Sequence, residues 1–80
     1  MKAKIHITLK NGVLDPQGKA IVNSLSHLGF DNVLQAKQGK YVELDINEND
    51  KAKAQELVDS MCKKLLANTV IENYRFDLEA

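Results

Sequence analysis

Cysteine, proline and aromatic residues are all scarce in this chain, and their scarcity excludes several classes of protein. The 80 residues include one cysteine, Cys62, so no disulfide can form within the chain. One cysteine and two separated histidines also lack the spacing of zinc ligands. Without a disulfide or a bound metal, a core of this size supplies only roughly 3–5 kcal/mol of folding free energy. We therefore expect a single domain over residues 1–80 that gains stability by forming oligomers.

Long runs of one charge or of apolar residues are missing as well. Eleven basic and eleven acidic residues give a formal net charge of zero, whereas nucleic-acid and membrane-surface binding both need a basic surplus. No apolar run approaches the length of a membrane span. Met1 leads directly into a strand pattern, without the apolar stretch of a signal peptide. Because a lone cysteine fits a reducing compartment, we expect a cytoplasmic protein.

The chain does contain a regular succession of strand and helix patterns. Apolar residues alternate over 3–9, recur at helical spacing over 20–28, and alternate again over 33–38 and 41–46. Helical spacing returns over 54–66, and a final strand is predicted over 70–78. This order predicts an α+β, ferredoxin-like βαββαβ fold. We expect a four-stranded antiparallel sheet in the order 4-1-3-2, with both helices on one face.

Several finer features follow from this assignment. Gly29 is expected to end the first helix in a left-handed conformation, and Gly39 to supply the positive φ of a hairpin turn between the two middle strands. The second helix is expected to end near Asn68 and to bury Ala54, Leu57, Val58, Met61 and Leu65, with Leu66 beside them. The uncovered sheet face is expected to carry Lys4, His6, Thr8, Tyr41, Glu43, Asp45, Arg75 and Asp77.

The turn from Lys10 to Gly18 is the most specified stretch, because it holds two glycines and the only proline in nine residues. Asp15 is a good helix N-cap, and Pro16 suits the first helical position. Val13 and Leu14 are apolar where a plain connection would be polar, which indicates contact with another surface. The turn lacks the phosphate-loop pattern, and Asp15 would repel a phosphate at the start of the helix.

No catalytic set emerges from the residues. His6 and His27 have no partner at a fixed spacing, and Cys62 has no neighbour that would lower its pKa. Tyr41 is the only aromatic residue in the central strands, which excludes the RNA-binding version of this fold. No Cys-x-x-Cys stands in the first loop, and the only arginine, Arg75, lies in the last strand. These facts exclude the metallochaperone and acylphosphatase versions and leave a small oligomeric binding or scaffolding domain.

Four stretches of the sequence together resemble a known family. They are Gly12-Val13-Leu14-Asp15-Pro16-Gln17-Gly18, Leu28-Gly29-Phe30, Gly39-Lys40-Tyr41, and Leu65 to Asn68 followed by Val70-Ile71-Glu72 and Tyr74. In this order, and over nearly the whole chain, they resemble PurS, the small subunit of phosphoribosylformylglycinamidine synthase. Thr69 stands where the family often has proline, at the start of a strand where proline is optional.

The resemblance implies a non-catalytic subunit of an ATP-consuming, glutamine-dependent ligase in purine biosynthesis. It implies a homodimer or higher oligomer that bridges a glutaminase (PurQ-type) and a synthetase (PurL-type) subunit and helps ammonia pass between them. This chain would bind no cofactor, while the whole complex uses ATP, Mg and glutamine. The residues expected to contact the partner subunits are Asn11, Gly12, Val13, Leu14, Asp15, Gln17, Lys40 and Asn68.

Two alternatives stay open at this point. Gly12, Gly18 and Gly39 can serve backbone geometry alone, Asp15 a cap, and Asn68 a helix end. An ACT-like regulatory domain has the same order of elements and binds small effectors beside the first turn. Calorimetry with amino acids and purine nucleotides would separate that regulatory function from the role of a synthase subunit.

Overall fold

The computed structural model describes residues 1–80 and shows an α+β chain with a three-stranded sheet. Its elements are β1 (Lys2–Leu9), α1 (Pro16–His27), β2 (Lys40–Asp45), α2 (Lys51–Met61), a π-helical turn (Cys62–Leu66) and β3 (Glu72–Glu79). The sheet is antiparallel in the order β2-β1-β3. The α+β class and the relative order of these three strands agree with the sequence prediction.

The prediction of a strand over residues 33–38, the second of the four expected strands, is wrong. This segment forms no regular secondary structure, pairs with no strand of the chain, and runs straight into β2. Gly39 does not adopt a positive φ, which only Gly12 and Gly29 do. A Cβ at Gly39 would lie 2.3 Å from the main-chain oxygen of Ile7. Glycine is therefore required here by the close approach of β1, and no hairpin turn forms.

The core lies between one face of the sheet and α2. Ala3, Ile5 and Ile7 alternate along β1 and are buried against Val58 and Cys62. Of the residues predicted to form the buried stripe of α2, Ala54 and Val58 are buried, and Leu66, predicted beside it, is half-buried against the core. The buried positions are four residues apart, at 54, 58 and 62, while Leu57, Met61 and Leu65 are exposed. Cys62 is completely buried.

The last turn of the α2 region departs from a regular α-helix. The N–H of Ala67 donates to the carbonyl oxygen of Cys62, which closes a π-helical turn. The helical segment thus ends at Leu66, and the expected cap at Asn68 is wrong. Along α2, the phenol of Tyr74 on β3 donates to the Asp59 carboxylate and fixes that side of the helix over β3.

Both ends of α1 form as the sequence predicts. The Asp15 side chain accepts from the N–H of Gly18, and Pro16 is the first helical residue. At the other end Gly29 has a φ of 96°, and the N–H of Phe30 donates to the Leu25 carbonyl oxygen in a Schellman motif.

The position of α1 differs from the prediction that both helices cover the sheet. Only α2 does so, and no side chain of α1 joins the core. We call residues 10–39 the lobe, because they leave the sheet where β1 ends and return where β2 begins. Helical periodicity predicted that α1 has an apolar side, but it could not specify which surface that side contacts.

The sheet face opposite α2 is polar. It carries ion pairs between Lys2 and Glu43 and between Lys4 and Glu79, and the rings of His6 and Tyr41 lie 4.8 Å apart. None of the helices has both the length and the hydropathy that crossing a membrane would require.

Candidate functional site

We call the junction between the lobe and the sheet the neck; here residues 15–18 meet residues 36–38. Asp15 holds the two segments together. Its Oδ1 accepts from the N–H of Gly18 at 2.8 Å, and its Oδ2 accepts from the N–H of Gln38 at 3.1 Å. These bonds, led by that from Gly18, hold the pKa of Asp15 below its usual value. One carboxylate therefore caps α1 and ties the outgoing chain to the returning chain.

A second contact at the neck depends on Gly18. A Cβ at this position would lie 2.1 Å from the main-chain oxygen of Ala36. The first turn of α1 and the returning segment therefore touch through their main chains. Gly18 is the only buried residue of α1 for this reason.

An open cavity of about 680 Å³ lies in the lobe beside the neck. The loop after β1 and the segment 34–37 form its walls, and the first half of α1 completes it. The Lys37 ammonium donates to Oδ1 of Asn11 at 2.6 Å across one side. Leu14 lines the cavity and is 67% exposed, which leaves an apolar side chain available for contact.

A second group of contacts centres on Glu72, the first residue of β3. Its Oε1 accepts from the N–H of Asn68 at 2.7 Å, and its Oε2 lies 3.5 Å from Nζ of Lys40. The N–H of Glu72 in turn donates to the Asn68 carbonyl oxygen at 2.7 Å. Glu72 and Lys40 line a smaller cavity, of about 460 Å³, together with Asp15 and Gln17.

The structure brings most of the predicted contact residues together at one end of the sheet. Residues 11–15 line the larger cavity, and Asp15 also lines the smaller one with Gln17 and Lys40. Asn68 lines neither cavity and reaches the group only through Glu72.

Three members of the site were missed from the sequence. Glu72 stands in the last resembling stretch, which was the available signal. Lys37 and Gln38 gave no signal, because they belong to the segment that was assigned to a strand.

The other titratable groups considered from the sequence lie apart from the neck. His27 is exposed, with Nδ1 2.7 Å from the Asn23 carbonyl oxygen, and His6 packs beside Tyr41 on the polar sheet face. Burial raises the pKa of the Cys62 thiol. Hydrogen bonding to Asp59 raises the pKa of Tyr74 to about 12. The raised pKa values of Cys62 and Tyr74 are therefore caused by burial and by a structural hydrogen bond. The two groups do not converge with the histidines on one polar site.

The fold and the neck are those of a small α+β binding protein. Its carboxylates at the neck accept hydrogen bonds from its own main chain, while apolar side chains such as Leu14 are exposed. The family model described as "PurS: Phosphoribosylformylglycinamidine (FGAM) synthase" matches residues 2–80. The PurS subunit of the synthase from Synechocystis is 49% identical over 77 residues, which cover 96% of this chain and 77% of that protein.

Solved structures agree with that match. PurS from Bacillus subtilis has a TM-score of 0.89 and 46% identity, covering 99% of this chain and 98% of its own. A chain of the PurLQS structure from Thermotoga maritima has a TM-score of 0.87 and 32% identity, covering 95% and 93%. The chain belongs to the PurS family, the subunits of phosphoribosylformylglycinamidine synthase, a ligase complex of purine biosynthesis. This membership favours the synthase role over the effector-binding alternative.

Proposed function

We propose that this chain is a non-catalytic subunit that joins the glutaminase and synthetase subunits through the neck and the cavity beside it. The supporting observation is that residues 11–15 line an open cavity while the acidic groups nearby already accept hydrogen bonds from the chain itself. Asp15 accepts two main-chain N–H groups and Glu72 accepts one. Such carboxylates stabilise the chain itself, and the exposed Leu14 offers apolar surface to a partner.

The proposed contribution to the reaction is positional. The glutaminase subunit releases ammonia, and the synthetase subunit activates the amide oxygen with ATP. Ammonia is protonated in bulk water, so its transfer needs a closed route from which water is excluded. A small rigid domain can order the facing loops of two larger subunits along that route. In this proposal ATP, magnesium and glutamine bind to the other subunits and none binds to this chain.

The proposal includes a homodimer or higher oligomer that works in the cytoplasm. Only 8 of the 80 residues are buried, which is a small core for a chain that must stay folded alone.

Replacing Leu14 by aspartate tests the proposed contact. The side chain is 67% exposed, so the variant should fold, yet it replaces an apolar side chain of the cavity lining by a charged one. We expect glutamine-dependent synthesis in the reconstituted complex to fall at least tenfold, and ammonia-dependent synthesis to remain. Ala52→Asp adds the same charge at an exposed position of α2 and should leave both rates unchanged. Full glutamine-dependent activity of the Leu14 variant would show that the loop is not an interface.

A further inference from the structure

Lysines without an acidic partner gather at the larger cavity beside the neck. Six of the eleven basic residues form no ion pair, and the five that do are Lys2, Lys4, Lys40, Lys63 and Arg75. Three of the six unpaired lysines, Lys10, Lys19 and Lys37, line this cavity of about 680 Å³. Because the chain as a whole has no net charge, the cavity is a local region of positive charge.

The one carboxylate in the lining does not pair with these lysines. It belongs to Asp15, and its two oxygens already accept from the N–H groups of Gly18 and Gln38. The Lys37 ammonium donates instead to Oδ1 of Asn11 at 2.6 Å. With three ammonium groups and one carboxylate, the lining attracts an anionic partner.

Two leucines add apolar surface to two walls of the same cavity. Leu14 belongs to the loop after β1 and is 67% exposed, and Leu34 belongs to the returning segment and is 94% exposed. Large exposed apolar side chains grouped beside charged ones are typical of a surface that another protein covers. A small inorganic anion would leave both leucines in water. The occupant that fits therefore carries acidic and apolar side chains together.

The walls of the cavity are held in place within the chain itself. In the loop after β1, the N–H of Lys10 donates to the carbonyl oxygen of Ile71 at 2.8 Å, and the N–H of Val13 donates to that of Lys10 at 3.2 Å. The bond from Lys37 to Asn11 joins this loop to the returning segment. Because the main chain of both walls is already fixed, a partner that binds here has little of it to order.

A second copy of this chain is a poor occupant, because its carboxylates are already engaged. Nine of the eleven accept a hydrogen bond or form an ion pair within the chain. The remaining two, Asp45 and Glu56, lie on different elements, β2 and α2. A nucleic acid is equally unsuited, because the lining has no aromatic side chain on which a base could stack. The occupant is therefore a segment of a different protein.

We propose that this cavity holds a segment of one of the larger subunits in which acidic residues flank an apolar side chain. The carboxylates of that segment pair with Lys10, Lys19 and Lys37, and its apolar side chain packs against Leu14 and Leu34. This inference rests on the proposed function, which puts a subunit contact here, and adds the chemistry of the segment that makes the contact.

The salt dependence of binding tests the charge of the segment without any variant. The full chain is titrated separately with the synthetase and the glutaminase subunit in 0.1 M and in 1 M salt, where the Debye length is about 10 Å and about 3 Å. For the subunit that uses the cavity, we expect the dissociation constant to rise about tenfold in 1 M salt, because screening weakens exposed ion pairs. A dissociation constant that salt does not raise for either subunit would overturn the proposal.

A neutral variant shows whether the cavity lysines cause that dependence. The cavity-lysine variant combines Lys10→Gln, Lys19→Gln and Lys37→Gln. We expect it to raise the dissociation constant about tenfold in 0.1 M salt and by less than about threefold in 1 M salt, where the pairs are already screened.

The matched control removes the same charge elsewhere. It combines Lys51→Gln, Lys53→Gln and Lys64→Gln, which are the other three unpaired lysines; all are exposed and line neither cavity. We expect this control to bind as the unmodified chain does. Equal effects of the two triple variants would show that only the overall charge matters, and would overturn the proposal.

The Leu14→Asp variant separates this inference from the proposed function. If it fails to bind while the cavity-lysine variant binds normally, the neck is an interface but the partner segment is not acidic, and only this inference fails. If both variants bind normally, the proposed contact fails as well. Binding of inorganic phosphate by the isolated chain, lost in the cavity-lysine variant, would assign the cavity to a small anion and overturn the inference. Altered self-association of that variant in sedimentation, with unchanged subunit binding, would assign it to a second copy and also overturn the inference.

Discussion

Asp15 illustrates how one residue serves the site without chemistry of its own. Its two oxygens accept hydrogen bonds from main-chain N–H groups on opposite sides of the neck. The carboxylate therefore links two segments that no main-chain turn connects. The sequence predicted the cap to α1, because Asp before Pro at a helix start is a strong local signal. It could not predict the bond to Gln38, because that contact joins residues 23 positions apart.

The lowered pKa of Asp15 predicts a dependence of stability on pH. The folded chain holds this carboxyl charged more readily than the unfolded chain, whose value lies near 3.8. Its contribution to stability is therefore present above that pH, and is lost as the pH falls through 3.8 and below. Urea unfolding followed from pH 6 to pH 2 should show this loss, and Asp15→Asn should make it smaller, while Asp59 and Glu79, whose pKa values are also lowered, keep the remainder. An ordinary pKa for the Asp15 carboxyl by NMR titration would contradict this account.

At the scale of elements, Gly39 allows the chain to pass close to β1 and to enter β2 at Lys40 without a hairpin turn. Gly39→Ala should reduce the free energy of unfolding by roughly 1–3 kcal/mol, because the added Cβ would meet the oxygen of Ile7. Gly39→Asn should be no better than alanine, since no positive φ is needed here. Gln38→Ala, at the exposed neighbouring residue, should change stability by less than about 0.5 kcal/mol. A well-tolerated asparagine would instead indicate a left-handed turn.

The same residue explains how far the sequence predicts the elements. Three strands and two helices were predictable, because alternation and helical spacing are local patterns. The absence of a strand over residues 33–38 was not, since a segment becomes a strand only when another strand pairs with it. A glycine before a strand is equally consistent with a turn and with a close main-chain approach. For α2, periodicity could not decide between positions 54, 58 and 62 and the neighbouring stripe at 57, 61 and 65.

At the scale of the whole molecule, the projecting lobe is the main departure from the predicted fold. Extents of 48 × 26 × 14 Å describe an open shape rather than a closed two-layer domain. The expectation of oligomers came from chain length and from the lack of disulfides and metal sites. The open shape agrees with that expectation, because it leaves apolar side chains such as Ile21, Leu28 and Leu57 exposed. The predicted contact residues cluster at the neck because both connections of the lobe meet there, which no local pattern shows.

The central claim is that this chain delivers no chemistry of its own and is needed only to couple the two larger subunits. The most direct measurement compares glutamine-dependent with ammonia-dependent synthesis by the synthetase and glutaminase subunits, with and without this chain. We predict that glutamine-dependent synthesis requires the chain, while ammonia at high concentration supports synthesis equally well without it. Full glutamine-dependent synthesis without the chain, or loss of ammonia-dependent synthesis when the chain is omitted, would contradict this claim.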